Sequence, residues 1–99
     1  MEIEQARLLC LKAAWMMDNA DAKTIAPWIH QVKVVAPRMA LKVVDEAIQL
    51  YGGQGVSQDT PLSKMWMHLR TIRLADGPDA VHRSQIARAD LRQYTDMKL

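Results

Sequence analysis

Two short segments carry the residue types that could do chemistry in this 99-residue chain. The first is Leu74-Ala-Asp-Gly-Pro-Asp79, in which the carboxylate of Asp76 stands directly before Gly77 and Pro78 at the start of a predicted helix. A carboxylate at such a position can transfer protons, but more often it only caps the helix and interacts with the helix dipole. The residues alone leave both roles open for Asp76, and they favour a first-turn stabilising role for Asp79.

The second segment is rich in glycine and reads Gln49-Leu-Tyr-Gly-Gly-Gln-Gly-Val56. Because glycine lacks a Cβ, a ligand can approach the backbone closely at such a turn. The segment follows a predicted helix and lacks a Lys-Ser or Lys-Thr ending, so it matches neither a phosphate-binding P-loop nor a dinucleotide-binding fingerprint. Taken alone, it predicts the C-terminus of a helix followed by a turn.

The other reactive side chains show no spacing that supports a site. His30, His68 and His82 are not spaced as metal ligands, so we predict no metal site and expect these side chains at the surface or at an interface. The single cysteine, Cys10, lies on an apolar helix face and excludes an internal disulfide. A net charge of +2 and three tryptophans without interleaved basic residues argue against nucleic-acid binding.

Apolar residues recur at helical spacing along the chain, and no segment alternates with the period of a strand. We therefore predict an all-α fold, an up-and-down antiparallel bundle of four helices in a single domain, 1–99. The predicted helices cover residues 3–18, about 25–51 after an N-cap at Thr24, about 61–74 after an N-cap at Thr60, and 78 to about 94. A polar turn covers 54–60.

The second predicted helix contains Pro37, which removes the hydrogen bond to the carbonyl of Lys33. One kinked helix and two helices broken before Pro37 both fit this sequence. The apolar stripe continues without a change of phase, which favours the single kinked helix. Gly52 and Gly53 are expected to end it in the left-handed conformation.

The apolar surface of the predicted helices exceeds what four helices can cover. The second helix is apolar around much of its circumference, and the first has a wide apolar face that includes Ile3, Ala6, Cys10, Ala13 and Met17. We expect oligomerisation or a partner domain to cover the excess. The seven methionines are expected mainly to fill the core, with an interface as the alternative.

No hydrophobic stretch approaches the roughly 20 residues of a membrane span, and the first residues lack the basic start of a signal peptide. We therefore expect a cytoplasmic protein that does not bind membranes.

Four stretches together resemble the C-terminal helical domain of flavin-dependent acyl-CoA dehydrogenases. Ala6-Arg-Leu-Leu and Lys12-Ala-Ala14 are similar to the helix near the start of that family's bundle. Val34-Val-Ala-Pro-Arg38 and Asp45-Glu-Ala-Ile-Gln-Leu-Tyr-Gly-Gly-Gln-Gly55 look like its long helix and the flavin-contacting turn. The resemblance covers almost the whole chain and implies the family's fold. It further implies that this is the last part of a dehydrogenase, without the N-terminal and β-domains.

The resemblance also assigns roles to individual residues. It implies that the adenine-dinucleotide part of FAD, held by a neighbouring subunit, is contacted by Gln49, Leu50, Tyr51, Gly52 and Gly53. The spacing from Gln49 to Asp76 matches the family without a gap, so Asp76 would be the catalytic base and Gly77 would lie against the substrate thioester. By resemblance, Asp76 removes the α-proton of an acyl-CoA while the β-hydride moves to the flavin.

The acidic segment departs from the commonest family pattern. Most members have Glu-Gly-Thr where this chain has Asp76, Gly77 and Pro78, and a common upstream Arg-Asp pair is here Met67-His68. Aspartate is one methylene shorter, and proline offers the flavin neither a hydroxyl nor a backbone N–H. The segment resembles a subgroup with Asp in place of Glu that is associated with longer or hydroxylated acyl-CoAs.

Two hypotheses follow. In the first, the chain is a C-terminal segment or subunit of an FAD-dependent acyl-CoA dehydrogenase, an oxidoreductase of fatty acid metabolism. It would be inactive alone, because 99 residues cannot enclose both FAD and an acyl-CoA. In the second, it is a non-catalytic helical module for self-association. A metal or haem carrier is disfavoured, because the sequence lacks a Glu-x-x-His pair.

Overall fold

A computed structural model of the protein describes residues 1–95. These residues form five helices and no strand, which confirms the all-α class: α1 (Glu2–Asn19), α2 (Ala22–Tyr51), α3 (Gly53–Val56), α4 (Leu62–Ile72) and α5 (Asp79–Thr95). Four of them correspond to the four predicted helices with small shifts at their ends. The additional helix, α3, is a single turn at the start of the predicted polar turn.

The long helix α2 is the axis of the fold, and the other helices pack on it. Within residues 1–95, no two Cα atoms of α1 and α4, α1 and α5, or α4 and α5 approach within 8 Å. α1 forms an antiparallel hairpin with α2, and an ion pair of 2.8 Å between Glu2 and Lys42 joins the open end of this hairpin. The domain is elongated, about 59 × 25 × 23 Å. The helical bundle is therefore more open than a closed four-helix bundle.

The start of α2 differs from the prediction. Its N-cap is Asp21, whose Oδ1 accepts a hydrogen bond of 2.9 Å from the backbone N–H of Thr24. The helix therefore begins three residues before the predicted start, and Pro27 lies inside α2 rather than in its first turn. Pro37 also lies within this uninterrupted helix, which confirms one helix over two.

The connection before α4 also differs in detail. α4 starts at Leu62 after Pro61, and no side chain caps it. Thr60, the predicted N-cap, instead donates its hydroxyl to the carbonyls of Gln54 and Gly55, each at 3.4 Å. This hydroxyl links the loop back to α3, so it is not available to the start of α4.

The buried core is small and lies along α2. It consists of Ala6, Ala13, Met16, Ile25, Val34, Leu41 and Val44. On the predicted face of α1, Ala6 and Ala13 are buried, but Ile3 and Met17 are exposed. Most methionines are exposed as well, contrary to the core-filling prediction. None of the helices in the described part of the chain is long and apolar enough to cross a bilayer.

Candidate functional site

The glycine turn, residues 49–56, begins where α2 ends. The N–H of Gly52 donates to the carbonyl of Ile48 at 2.9 Å, and Gly52 has φ 65° and ψ −140°. A positive φ favours glycine, so the prediction that glycine ends this helix is confirmed. The ψ value, however, differs from that of the left-handed helical conformation predicted for it.

The three glycines of this turn have different surroundings. A Cβ built at Gly52 or Gly53 would meet no atom within 4 Å, so the backbone there faces open space. A Cβ at Gly55 would lie 2.7 Å from the carbonyl oxygen of Ile48 and 2.9 Å from its Cα. Gly55 therefore lets α3 fold back against the last turns of α2. The sequence prediction missed this role, since a close backbone contact has no signature in the residue pattern.

The side chains that precede the glycines point away from the domain. Gln49 is exposed, Leu50 is 88% exposed and Tyr51 is 57% exposed. The five residues that the resemblance assigns to FAD thus form one continuous exposed edge. An apolar residue as exposed as Leu50 at the end of a long helix suits contact with another molecule or domain.

The acidic turn, residues 73–78, connects α4 to α5. Asp76 has φ 56° and is the one non-glycine residue with a positive φ in the described range. Aspartate tolerates this conformation better than most residues, because its short polar side chain interacts with the local backbone. Asp76 is exposed, and Gly77 follows with φ 104°. The base candidate therefore stands on an unusual backbone conformation at the surface.

Lys33 of α2 anchors the first part of this turn. Its Nζ donates to the carbonyl of Ile72 at 2.5 Å and to that of Ala75 at 2.8 Å. The last carbonyls of a helix lack partners within the helix, and the negative end of the dipole attracts a cation. Lys33 therefore fixes the residues directly before Asp76. The sequence prediction missed it, since the contact spans about 40 residues.

An ion pair joins the two ends of the acidic turn. Arg73 donates to Oδ2 of Asp79 through Nη2 at 2.8 Å and Nε at 3.1 Å. Desolvation alone raises the pKa of Asp79, but the hydrogen bonds and charge of Arg73, aided by Arg38 and Arg83, outweigh it and lower the pKa. Asp79 lies in the first turn of α5, as predicted. The side chain of Arg73 is half-buried in this pair.

Two histidines meet beside the acidic turn. Nδ1 of His30 on α2 lies 2.7 Å from Nδ1 of His82 on α5. Burial, and then the neighbouring His82, lower the pKa of His30. Nε2 of His82 is buried and has no hydrogen-bond partner among residues 1–95, and a Cβ at Gly77 would lie 3.1 Å from it. Both histidine side chains are half-buried, where the sequence predicted a position at the surface or at an interface, and His68 is exposed.

Two backbone N–H groups of the acidic turn make no hydrogen bond within residues 1–95. The N–H of Ala75 donates to the carbonyl of Thr71 at 2.9 Å, and that of Val81 to the carbonyl of Pro78 at 3.0 Å. Between them, the N–H groups of Asp76 and Gly77 find no acceptor within residues 1–95. The turn can therefore offer a carboxylate and backbone donors to the same ligand.

The two turns lie at opposite ends of α4. The acidic turn is beside Lys33 and the glycine turn is beside Gln49, and these residues are 16 positions apart on α2. At the helical rise of 1.5 Å, this separation is about 24 Å. The chain therefore does not bring Asp76 and the predicted flavin contacts together around one small ligand.

A groove of about 690 Å³ runs between α1, α2 and α4. Its lining includes Arg38, Lys42, Arg70 and Arg73, together with Trp66. The sequence prediction missed this groove, because its cations come from different helices. Within residues 1–95, no cluster of three or more His, Cys, Asp or Glu side chains could hold a metal ion.

The chain is similar to known proteins over nearly all of its length. Residues 1–91 match the family model described as acyl-CoA dehydrogenase, C-terminal domain. The chain is 51% identical over 90 residues to the probable acyl-CoA dehydrogenase FadE2 of Mycobacterium tuberculosis, and 53% identical over 91 residues to acyl-CoA dehydrogenase family member 11 of Gallus gallus. These alignments cover 91% and 92% of this chain.

The fold agrees with the sequence matches. A solved structure assigned to the acyl-CoA dehydrogenases, from Mycobacterium abscessus, superposes with a TM-score of 0.91 at 47% identity over 94% of this chain. The chain spans only 22% of FadE2, 12% of the Gallus gallus protein and 23% of the solved chain. It therefore belongs to the acyl-CoA dehydrogenase family, in which it corresponds to the C-terminal helical domain.

Proposed function

We propose that this chain supplies the catalytic base and one edge of the flavin site to an FAD-dependent acyl-CoA dehydrogenase. The family uses FAD in general, and its relatives are several times longer than this chain. The observation that carries the proposal is the acidic turn. There an exposed carboxylate on a positive φ precedes a glycine, and the backbone N–H groups of Asp76 and Gly77 have no acceptor within residues 1–95.

The proposed chemistry follows from the groups that this turn presents. A thioester acidifies its α C–H, and the Asp76 carboxylate removes that proton. A backbone N–H of the turn donates to the thioester oxygen, where negative charge develops as the proton leaves. Gly77, whose φ of 104° favours glycine, is the residue proposed to lie against the thioester. When bound, FAD supplies the acceptor for the β-hydride.

The support around the turn suits this role. A residue other than glycine at φ 56° raises the free energy of the folded state by about 1–3 kcal/mol, and it keeps this conformation only where the surrounding structure holds it. Here Lys33 holds one side of the turn, and the Arg73–Asp79 pair joins its two ends. A base held in one position loses less entropy on reaching the transition state than a mobile one.

The glycine turn fits contact with a flavin that other protein parts hold. Its backbone at Gly52 and Gly53 is open, and its side chains are exposed rather than gathered around a cavity. Lys33, which holds the acidic turn, and Gln49 are about 24 Å apart along α2, which favours a flavin of a neighbouring subunit at the glycine turn over the flavin that serves Asp76. We therefore propose a homo-oligomer, or an assembly with the remaining dehydrogenase domains. A cytoplasmic location and a long or hydroxylated acyl-CoA substrate stay predictions.

The substitution Asp76→Asn in the complete enzyme tests the base. Asparagine also tolerates a positive φ, so the turn keeps its shape while the proton acceptor is lost. We expect turnover to fall by about 10²–10⁴-fold with flavin content and thermal unfolding unchanged. Asp59→Asn, at an exposed aspartate of the α3–α4 connection, is the matched control and keeps its activity. Retained turnover in Asp76→Asn would remove Asp76 from the mechanism.

A second candidate function, a helical self-association module, is favoured by one observation. Leu8, Leu11 and Trp15 of α1 are each about 60% exposed, which leaves an apolar face uncovered. A sizing column monitored for protein and flavin absorbance separates the two functions. Flavin that co-elutes in a large complex supports the dehydrogenase, whereas a colourless stable oligomer in which Asp76→Asn changes only stability supports the module.

A further inference from the structure

We propose that His82, oriented by His30, positions the acidic turn, an inference that rests on the proposed function of Asp76. Neither histidine has a part in the proton transfer described above. His82 stands on α5 and His30 on α2, and they form the one side-chain hydrogen bond between these helices within residues 1–95. The pair therefore links the helix that follows the turn to the axis of the fold.

The hydrogen bond restricts the orientation of the His82 ring. With the two Nδ1 atoms 2.7 Å apart, one must donate its proton and the other must accept it. The ring centroids lie 5.0 Å apart, with the planes inclined by 45°. A ring flip of His82 would replace Nδ1 by a carbon and lose the bond. His30 thereby determines which edge of the His82 ring faces the turn.

The opposite edge of the His82 ring faces Gly77 of the turn. Its Nε2 is buried and would lie 3.1 Å from a Cβ at that position. The ring thus occupies the space that a side chain of residue 77 would take, and it prevents the turn from moving toward α5. Lys33 and the Arg73–Asp79 pair fix the two flanks of the turn, while His82 supports its middle.

The unpaired nitrogen indicates that this arrangement is not merely good packing. A buried polar atom without a partner costs about 1–3 kcal/mol, which a phenylalanine at the same place would avoid. Because an imidazole carries both nitrogens, a histidine that bonds to His30 through Nδ1 also brings the unpaired Nε2. What histidine provides at position 82, and phenylalanine would not, is therefore a ring held in one orientation by a hydrogen bond.

A matched pair of substitutions at His30 tests the proposal in the complete, flavin-loaded enzyme. His30→Asn places an amide near the position of Nδ1 and keeps a partner for His82, whereas His30→Leu has a similar shape and no polar group. We expect kcat to fall about tenfold or more in His30→Leu and to stay within about twofold in His30→Asn, because small displacements of a catalytic group lower the rate strongly. The KM for acyl-CoA and the flavin content should change little in both.

Other outcomes separate the possible failures. If both variants keep kcat and lose only thermal stability, the pair has a structural role and the proposal is overturned. If His30→Leu does not fold, His82→Phe keeps the ring volume without its anchor and is expected to show the same loss of kcat. His68→Leu, at an exposed position of α4, is the control and keeps kcat.

Asp76→Asn, measured in parallel, tests the proposed function itself. If this variant retains turnover, the proposed function fails whatever the histidine variants show.

Discussion

The glycine turn and the acidic turn are both short connections at helix ends, but they are stabilised in different ways. The glycine turn is shaped by its own backbone, with Gly52 at a positive φ and Gly55 against Ile48. The acidic turn is fixed by side chains, namely Lys33 of α2, Asp79 and His82 of α5, and Arg73 of the turn itself. A turn that only contacts a ligand needs an open backbone, whereas a turn that carries a base needs a fixed one.

Among the substitutions that leave Asp76 in place, the largest effect is expected from removing the support that α2 gives to the acidic turn. Lys33→Met keeps the length of the side chain but leaves the carbonyls of Ile72 and Ala75 without their donor. We expect kcat of the complete enzyme to fall about 10–100-fold with flavin content unchanged, because Asp76 loses its fixed position. Lys23→Met, at an exposed lysine of the same helix, should have no effect. Equal rates in the two variants would show that the turn is fixed without Lys33.

An effect of intermediate size is expected in the glycine turn, where Gly55 and Gly53 should respond differently to substitution. Gly55→Ala would place a Cβ 2.7 Å from a backbone oxygen, so we expect a loss of about 1–3 kcal/mol in the free energy of unfolding. In Gly53→Ala the added Cβ meets no atom within 4 Å, and the φ of this residue is not positive. Its free energy of unfolding should therefore stay within about 0.5 kcal/mol of the parent. Urea unfolding of both variants measures this difference. Similar values would contradict the close backbone approach at Gly55.

The smallest expected effect concerns the ion pair of the acidic turn and its pH dependence. Because the pKa of Asp79 is lower in the folded state, its contribution is full above the unfolded carboxyl pKa and is lost as the pH falls through the folded pKa. At pH 7 we expect Asp79→Asn to lower the free energy of unfolding by about 1 kcal/mol, as this pair is partly exposed.

Urea unfolding at a series of pH values tests this expectation. The difference between parent and Asp79→Asn should shrink as the pH falls below about 4, the ordinary range of an aspartate. Asp90→Asn, at an exposed aspartate of α5, serves as the control and should differ little from the parent at every pH. A difference that persists unchanged in acid would mean that the Asp79 charge does not stabilise the turn.

The comparison also explains which features the sequence could predict. The helices, the end of α2 at Gly52 and the placement of Asp79 in a first turn depend on neighbouring residues, so they follow from local patterns. The N-cap at Asp21 was missed because Thr24, three residues later, is also a favourable cap. Two good candidates within one turn leave the boundary ambiguous.

The supports of the acidic turn depend on contacts between distant parts of the chain. His30 and His82 are 52 positions apart, and Lys33 reaches carbonyls 39 and 42 positions away. No periodicity relates such residues. The residues of α1 that pack against α2 were also only partly predicted. Because the apolar face of α1 is wide, the sequence does not determine how the helix is rotated about its axis. Alanines 6 and 13 are buried, while Ile3 and Met17 remain exposed.

Within residues 1–95, α2 is the one helix that α1, α4 and α5 all contact, and this has a consequence for the cooperativity of the domain. Each flanking helix can detach without breaking contacts among the others, so backbone amides should exchange with solvent in separate groups and most slowly in α2. The same topology limits communication between the two turns. A change at the acidic turn reaches the glycine turn either along α4 or along about 24 Å of α2, and both routes are single helices.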